Sequence, residues 1–360
     1  MGTVTDSELM HKGLNTGDNN ERLFEGPLHL SGALEKYTSF DVTPIIIGRE
    51  FPDASLRDLI ETPDSDTFLR DLAIMISQRG VVFFRKQNDL TDELQKFLVQ
   101  RLRELTSKPK TSKLHIHPLF YSALPMGGDD DKLNIISTAQ DQMVFKSKRF
   151  VKRQSARQEW HTDILHEIFP SDYSLLRLVE LPKGGGGDTL WASGYEIYDR
   201  ISKPYQRFLE TLTATCTQPS YKNLAKKMNY QLYTEPRGSP ENTESTAAHP
   251  VIRTNPVAGW KSLFTAGRHV KRINDLEPTE SENLLRWFMD SMTGNHDLQV
   301  RNRWQSPNDV AIWDNRSVFH TGTQNIDIDG ERVGHRASGI GERPYLDPAS
   351  SSRREALGLL

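Results

Sequence analysis

The stretch Trp160-His161-Thr162-Asp163 constrains this chain more than any other short segment. In an extended strand, residues two apart project from the same face, so His161 and Asp163 can reach one ion. A second histidine from a distant strand would complete the site, and His320 is the best candidate. Two imidazoles and one carboxylate leave open positions on Fe(II), as non-heme oxygenases require. The bare His-X-Asp pattern also arises by chance on solvated strand ends, so its weight depends on the accompanying motifs.

Length and composition narrow the class of protein. A chain of 360 residues with 36% apolar and 26% charged residues is typical of a globular protein with a sizeable core. The net charge is -3 and charges of both signs are interspersed along the chain, so there is no basic stripe and we expect no nucleic-acid partner. No apolar run is long enough to span a bilayer, so we expect no membrane partner either. Cys216 is the only cysteine, which excludes a disulfide framework and favours a cytoplasmic location.

Hydrophobic periodicity predicts short strands with helices between them. Apolar residues at helical spacing predict a helix over Asp66–Gln78, closed by Gly80 and followed by a strand at Val81–Phe84. Thr279 and Glu282 predict the capping box of a later helix. Further strand-like stretches lie at residues 173–180, 298–301 and 310–313. This order fits a jelly roll with helices on its outside better than an alternating βαβ arrangement.

The same patterns suggest one domain with two polar ends. We expect a flexible N-terminal arm at residues 1–40, a single jelly-roll domain at 41–348 and a C-terminal tail at 349–360. Residues 123–157 are rich in Gly, Asp, Lys and Arg, which predicts an exposed segment that could cover a site. The glycines at 184–187 lack the Lys-Ser/Thr ending of a phosphate loop and predict a turn between strands.

Four motifs follow one another in a recognisable order: Trp160-His161-Thr162-Asp163, Gly187-Asp188-Thr189-Leu190-Trp191, Asn308 to Arg316 with His320, and Arg332-Val333-Gly334-His335-Arg336. With them the chain resembles the taurine/2,4-dichlorophenoxyacetate dioxygenase (TauD/TfdA) family, in a fungal-type form, over residues 75 to 345. The resemblance implies a mainly β fold with helical insertions, built on a double-stranded β-helix (jelly roll, cupin-like) flanked by helices. It also implies Fe(II) as cofactor, with 2-oxoglutarate and dioxygen as cosubstrates.

The resemblance further implies roles for individual residues. The iron ligands and catalytic centre would be His161, Asp163 and His320. Arg332 would bind the distal carboxylate of 2-oxoglutarate through its planar guanidinium, with help from the Thr189 hydroxyl. Arg336 would bind the anionic end of the primary substrate.

Two aromatic residues upstream complete the predicted substrate site. His117 matches the family position that helps to hold a substrate sulfonate or carboxylate, and Phe120 stands near where the taurine enzymes carry a tyrosine. His115 and His117 could share a strand face as a metal pair, but the nearby chain supplies no convincing third ligand. The altered residues after His117 and at Arg157-Gln158-Glu159 put taurine itself in doubt.

The expected activity is oxidation of an unactivated C–H bond in a small anionic substrate, a sulfonate or carboxylate, with release of succinate and carbon dioxide. An alternative keeps the same cofactor chemistry for an amino acid or other carboxylate in specialised biosynthesis, with hydroxylation, desaturation or cyclisation as the outcome. A remote alternative is a jelly-roll protein that binds a metal without turnover. Its incomplete ligand shell argues against this, because structural zinc takes four protein ligands. Whether the chain forms a homodimer or homotetramer stays open.

Overall fold

The computed structural model describes residues 26–106, 111–119, 124, 126–143, 155–323 and 330–359. The strands, in chain order, are β1 (Phe40–Thr43), β2 (Ile47–Phe51), β3 (Val81–Phe84), β4 (Asn134–Ser137), β5 (Ser171–Glu180), β6 (Thr189–Ser193), β7 (Thr213–Thr217), β8 (Thr246–Pro250), β9 (Ile252–Thr254), β10 (Lys261–Leu263), β11 (Val270–Ile273), β12 (Gln299–Asn302), β13 (Asp309–Asp314), β14 (Val318–Gly322) and β15 (Val333–Ile340). The α-helices are α1 (Leu56–Glu61), α2 (Ser65–Arg79), α3 (Asp92–Glu104), α4 (Thr138–Met143), α5 (Gly194–Asp199), α6 (Lys203–Leu209), α7 (Ser220–Met228), α8 (Pro278–Gly294) and α9 (Arg353–Ala356).

Two sheets form the centre of the jelly roll. The larger has seven strands in the order β1-β2-β3-β13-β5-β15-β4, and the smaller has the order β12-β6-β14. Their facing sides share one apolar cluster, in which Trp191 of β6 lies 5.8 Å from Trp313 of β13 and 5.4 Å from Phe83 of β3, measured between ring centroids. The smaller sheet therefore lies over the middle of the larger one, as in a β-sandwich.

The other face of the larger sheet is covered by α2 and α3. On β13, Val310 and Ile312 pack toward these helices, whereas Ala311 and Trp313 pack toward the smaller sheet. This alternation follows from the two-residue period of a strand, and burial on both faces explains why β13 and β3 read as continuous apolar runs. The helix predicted over residues 66–78 is confirmed as α2, and Gly80 ends it with φ of 75°.

The predicted capping box of α8 was wrong. The helix begins at Pro278, Glu277 is the N-cap, and its side chain forms the box with Glu280. The physical reason is Pro278, whose fixed φ and missing N–H suit the first position of a helix and therefore move the start ahead of Thr279. Phe288 and Met292 of this helix are buried in a second apolar cluster, beneath β11 and the 3-10 turn before β12.

Residues beyond both predicted domain boundaries contact the jelly roll. Near the N-terminal boundary, the carboxylate of Asp71 accepts hydrogen bonds from the backbone N–H groups of residues 31–33. Near the C-terminal one, Ser351 pairs with Trp260 and Arg353 is buried. The boundaries themselves stay predictions. Among the helices named above, none combines the length and apolarity that a bilayer crossing requires.

Candidate active site

The two predicted histidine ligands are joined by a pair of backbone hydrogen bonds. The N–H of His161 donates to the carbonyl of His320 at 3.0 Å, and the N–H of His320 donates back to the carbonyl of His161 at 2.7 Å. This antiparallel bridge extends the smaller sheet beyond β14, and it places the two imidazole rings 4.3 Å apart between centroids. Residues far apart in sequence thus become direct neighbours.

Asp163 completes the group. The ligand atoms of His161, Asp163 and His320 all lie within 4.8 Å of one another, with Asp163 Oδ1 at 3.9 Å from His161 Nε2 and at 3.8 Å from His320 Nε2. His161 Nδ1 donates to the carbonyl oxygen of Glu159 at 2.7 Å, which leaves the lone pair of Nε2 directed at the centre of the group. The arrangement provides one oxygen and two nitrogen donors to a single point.

Burial and neighbouring charges together set the protonation of these three side chains. It lowers the pKa of His161 well below the usual value and that of His320 to about 4, so both imidazoles are neutral near pH 7. Burial alone would raise the pKa of Asp163, but the nearby Arg336 guanidinium and His320 hold it below its usual value. Neutral imidazoles and an ionised carboxylate are the forms that bind a metal. The donor set therefore fits Fe(II).

Asn315, which the sequence placed in a family motif without a role, anchors the segment that carries Asp163. Its side-chain oxygen accepts from the Asp163 N–H at 3.1 Å, and its backbone carbonyl accepts from the Thr162 hydroxyl at 2.7 Å. Its amide nitrogen donates to the Asp172 carbonyl at 3.0 Å and to Ser174 Oγ at 2.9 Å. Ser174 Oγ in turn donates to Asp163 Oδ2 at 3.0 Å, so one network fixes both the backbone and the carboxylate of Asp163.

Two positive φ values mark the turn around this segment. Ile164, directly after Asp163, is buried and has φ of 60°, a conformation that costs a β-branched residue about 1–3 kcal/mol. Gly267 has φ of 89°, and a Cβ there would lie 2.3 Å from the carbonyl oxygen of Trp160. The N–H of Arg268 donates to that same oxygen at 3.0 Å. The loop at 267–269 is thus packed tightly against the extended segment that carries His161.

The two residues predicted for 2-oxoglutarate converge on one segment. Arg332 Nε donates to the carbonyl of Gly187 at 3.2 Å, two residues before Thr189. Thr189 is buried, accepts from Trp304 Nε1 at 3.2 Å, and lies opposite Gly322 in the β6–β14 pair. Because Gly322 is two residues from His320 on β14, this segment adjoins the group formed by His161, Asp163 and His320.

Arg336 reaches the group from β15. Its Nη1 atom donates to Asp163 Oδ1 at 3.0 Å, and 19% of its side chain is exposed. His117 is buried 4.6 Å from the ring of Tyr221, between centroids, and burial, His115 and Arg336 together lower its pKa well below the usual value. Tyr221 had no sequence signal. Phe120 lies outside the described residues.

His115 has a different environment. Its Nε2 atom lies 3.2 Å from Glu167 Oε1, which also accepts from Arg237 Nε at 2.7 Å. Within the described residues, the only group of three or more candidate ligands that could hold a metal is His161, Asp163 and His320. In the part of the chain that the structure describes, there is therefore no support for a metal pair at His115 and His117.

Two histidines and a carboxylate that converge on one point of a jelly roll define a mononuclear facial-triad site. The family model described as taurine catabolism dioxygenase TauD, TfdA family, matches residues 38–338, and the chain belongs to this family.

Curated relatives agree with this membership, and a solved structure agrees with the fold. The chain is 47% identical over 370 residues to alpha-ketoglutarate-dependent dioxygenase esdpJ of Penicillium shearii, covering 92% of this chain and 96% of the relative. It is 34% identical over 306 residues to an alpha-ketoglutarate-dependent sulfonate dioxygenase of Saccharomyces cerevisiae, covering 85% and 67%. The fold is similar to that of a taurine dioxygenase from Burkholderia xenovorans, with a TM-score of 0.62, 23% identity and coverage of 87% and 92%.

These findings confirm the predicted family, the jelly-roll fold and the enzyme class. The protein is a 2-oxoglutarate-dependent dioxygenase, and its family uses Fe(II), 2-oxoglutarate and dioxygen. The comparisons leave the substrate and the role of each site residue as predictions.

Proposed function

We propose that this dioxygenase oxidises an unactivated C–H bond of a small anionic substrate at an Fe(II) ion held by His161, Asp163 and His320. The observation that carries the proposal is the convergence of these three ligand atoms within 4.8 Å, with the Arg336 guanidinium on the same carboxylate. Together with 2-oxoglutarate and dioxygen, the bound iron supplies the oxidising chemistry, and succinate and carbon dioxide are released. The protein positions the reactants and excludes water.

Arg332 and Thr189 are proposed to hold the distal carboxylate of 2-oxoglutarate. A guanidinium can form a bidentate, charge-assisted pair with a carboxylate, and Arg332 is directed at the segment that carries Thr189. The Thr189 oxygen accepts its hydrogen bond from Trp304, which leaves the hydroxyl proton to donate to the cosubstrate. The two residues would thus set the orientation of 2-oxoglutarate relative to the metal.

Arg336 is proposed to bind the anionic group of the primary substrate, with His117 and Phe120 as further contacts. Its Nη1 atom donates to Asp163 Oδ1, so a substrate anion held by the other N–H donors of the guanidinium would lie beside the proposed metal site. The Saccharomyces relative is described as a sulfonate dioxygenase, which favours a sulfonate. A guanidinium serves a carboxylate equally well, so an amino acid or another carboxylate of specialised biosynthesis remains the alternative, with hydroxylation, desaturation or cyclisation as the outcome.

The proposal is tested by mixing the protein anaerobically with Fe(II) and 2-oxoglutarate. A bidentate 2-oxo acid on a facial-triad iron gives a visible metal-to-ligand charge-transfer band, and His161→Ala or Asp163→Ala should abolish it because either change removes one of three protein ligands. Succinate release is then measured across sulfonates, amino acids and aryloxy acids. A metal-replete protein without the band, or an active Asp163→Ala variant, would overturn the assignment.

We also propose a cytoplasmic location and small molecules, not nucleic acids, as partners. The net charge of -3 and the single cysteine support these two expectations. Fractionation of the native cells and a nucleic-acid binding assay at physiological salt would test them.

A further inference from the structure

Two residues that lie side by side on the smaller sheet bury donors that have no acceptor among the described residues. Asn302 of β12 pairs directly with Thr189 of β6, and the two are buried at 3% and 5% exposure. Asn302 Nδ2 has no hydrogen-bond partner in the described part of the chain, and no residue there accepts from the Thr189 hydroxyl, which itself accepts from Trp304 Nε1. Buried polar groups are nearly always paired, so two adjacent donors of this kind point to a ligand.

The orientation of the Asn302 amide is set by Arg85. Arg85 Nη2 donates to Asn302 Oδ1 at 3.1 Å, and a guanidinium has donors only, so the amide oxygen must face Arg85 and Nδ2 must face away. Arg85 is held in turn by Glu50 at 2.8 Å and by Asp309 at 2.9 Å. Asn302 can therefore offer a ligand only N–H donors, which suit an anion.

Both donors are on the face of the smaller sheet that is turned to the jelly-roll interior. Thr189 lies two residues before Trp191, which pairs with His320 and packs between the two sheets. Directly paired residues and residues two apart share a face, so Asn302, Thr189 and His320 project to the same side. Gly322 lies opposite Thr189 on β14, and a Cβ there would meet no neighbouring atom of the described residues within 4 Å. The space beside the Thr189 hydroxyl is therefore open.

We propose that Asn302 binds the distal carboxylate of 2-oxoglutarate, with Nδ2 as a donor beside the Thr189 hydroxyl. This inference rests on the proposed function, which assigns that carboxylate to Arg332 and Thr189. Arg332 Nε donates to the carbonyl of Gly187, two residues before Thr189, so all three residues border one segment of β6 and the turn before it. Asn302 then contributes to cosubstrate specificity, because a 2-oxo acid without a distal carboxylate leaves its donor unpaired.

Two 2-oxo acids of equal chain length test this assignment. 2-Oxoglutarate carries the distal carboxylate, and 2-oxopentanoate has a methyl group in its place. Both chelate Fe(II) through the same 2-oxo acid group, so both can be titrated anaerobically by the charge-transfer band. Asn302→Ala should weaken the binding of 2-oxoglutarate by a factor on the order of ten to one hundred, because a hydrogen bond to a charged group contributes that much. Its binding of 2-oxopentanoate should change far less, because that acid has no group for Asn302 to hold.

Asn302→Asp is the sharper variant, because it keeps the acceptor for Arg85 and replaces only the donor. An ionised carboxylate at this position repels the distal carboxylate, so 2-oxoglutarate binding should fall further than in Asn302→Ala while 2-oxopentanoate binding is largely retained. Asn274→Asp makes the same isosteric change in the β11-β7-β8 sheet and should leave the affinity for both acids unchanged. Urea denaturation shows that each variant is folded, and the aspartate variant decides the question if the alanine variant does not fold.

The outcomes separate this inference from the function on which it rests. If Asn302→Asp binds 2-oxoglutarate as tightly as the parent, or weakens both acids alike, Asn302 does not hold the carboxylate and the inference is refuted. Thr189→Val is the reference: if it weakens 2-oxoglutarate selectively and the Asn302 variants do not, the proposed function stands without this inference. If neither Thr189→Val nor Arg332→Ala distinguishes the two acids, the proposed carboxylate site fails as a whole. If the parent protein forms no band, the proposed metal site fails first.

Discussion

Replacement of Asn315 by alanine should lower both the stability of the protein and its affinity for Fe(II). The change removes the acceptor of two buried donors, the Asp163 N–H at 3.1 Å and Trp313 Nε1 at 2.9 Å. Asp163 is 4% exposed and Trp313 is 1% exposed, so water cannot replace the lost acceptor without entering the core. Each buried donor left without a partner costs about 1–3 kcal/mol.

The expected loss of unfolding free energy is therefore about 2–6 kcal/mol, from two unpaired donors. The lower half of that range is favoured because Ser174, which also loses its contact with Asn315, keeps hydrogen bonds to Asp163 Oδ2 and to Ser338 Oγ at 2.8 Å. Urea denaturation of the metal-free protein measures this loss. Because Asn315 also fixes the backbone of Asp163, Fe(II) affinity should fall about 10- to 100-fold, as read from the charge-transfer titration.

Asn274→Ala is the matched control. Asn274 is also buried, at 9% exposure, but its side chain accepts from the Thr215 hydroxyl at 2.7 Å and donates to Thr213 Oγ1 at 2.9 Å in the β11-β7-β8 sheet, which carries none of the proposed site residues. This variant should lose stability without a change in Fe(II) affinity. The reasoning is refuted if Asn315→Ala unfolds within about 1 kcal/mol of the parent, a difference typical of unremarkable substitutions. It is equally refuted if both variants weaken Fe(II) binding to the same extent.

Three further predictions follow from the site. Arg332→Ala should raise the apparent KM for 2-oxoglutarate by a factor of tens to thousands, the equivalent of about 2–5 kcal/mol for a lost charged pair, whereas Arg336→Ala should keep the charge-transfer band and lose coupled turnover. Gly267→Ala should lower Fe(II) affinity and stability together, since its Cβ would collide with the Trp160 carbonyl at 2.3 Å; a normal charge-transfer titration would contradict this. The free energy of unfolding of the metal-free protein should decrease as the pH falls below about 6.5, the usual pKa of a histidine. In that range the histidines of the unfolded chain bind protons, whereas the buried imidazoles of the folded protein stay neutral, His320 down to about pH 4. Proton uptake on unfolding at pH 5.5, measured by calorimetry in two buffers, should be several per molecule, and the contributing residues are His117, His161, His166, His249, His269 and His320.

Local pattern was sufficient where a residue's neighbours in sequence decide its conformation. The apolar spacing of α2 and the continuous apolar run of β3 were read correctly because burial on one stripe, or on both faces, leaves a direct trace in the sequence. The start of α8 was predicted wrongly because the capping pattern at Thr279 was given more weight than Pro278, which favours the first position of a helix. Both features are present in the sequence, so the error lay in the choice between them.

Long-range contacts explain what the sequence could not reveal. His320 was named as the partner of His161 as a candidate, and the family resemblance supported it, since no periodicity links segments so far apart in the chain; their backbone pairing is seen only in the folded structure. Asn315 lay inside a quoted motif, yet its function depends on accepting from the backbone of Asp163 across the fold. His166 and His269 had no sequence signal at all. Their rings lie 5.3 Å apart between centroids because the 267–269 loop packs against Trp160, a close approach that Gly267 permits and that depends on the folded chain.

The pair between Arg336 and Asp163 connects the two halves of the proposed site. Asp163 Oδ1 is the oxygen that faces both histidines, and Arg336 Nη1 donates to that same oxygen at 3.0 Å. Under the proposed assignment, Asp163 shares its single negative charge between Arg336 and the metal, so its attraction for the guanidinium weakens once the metal is bound. Arg336 has five N–H donors in a planar fork, and those no longer held by Asp163 can turn to the anionic group of the substrate. Metal binding would thus strengthen substrate binding. Because coupling free energies are reciprocal, the substrate anion must strengthen metal binding by the same factor. Arg336 couples the two binding events because it contacts both Asp163 and, under this assignment, the substrate anion.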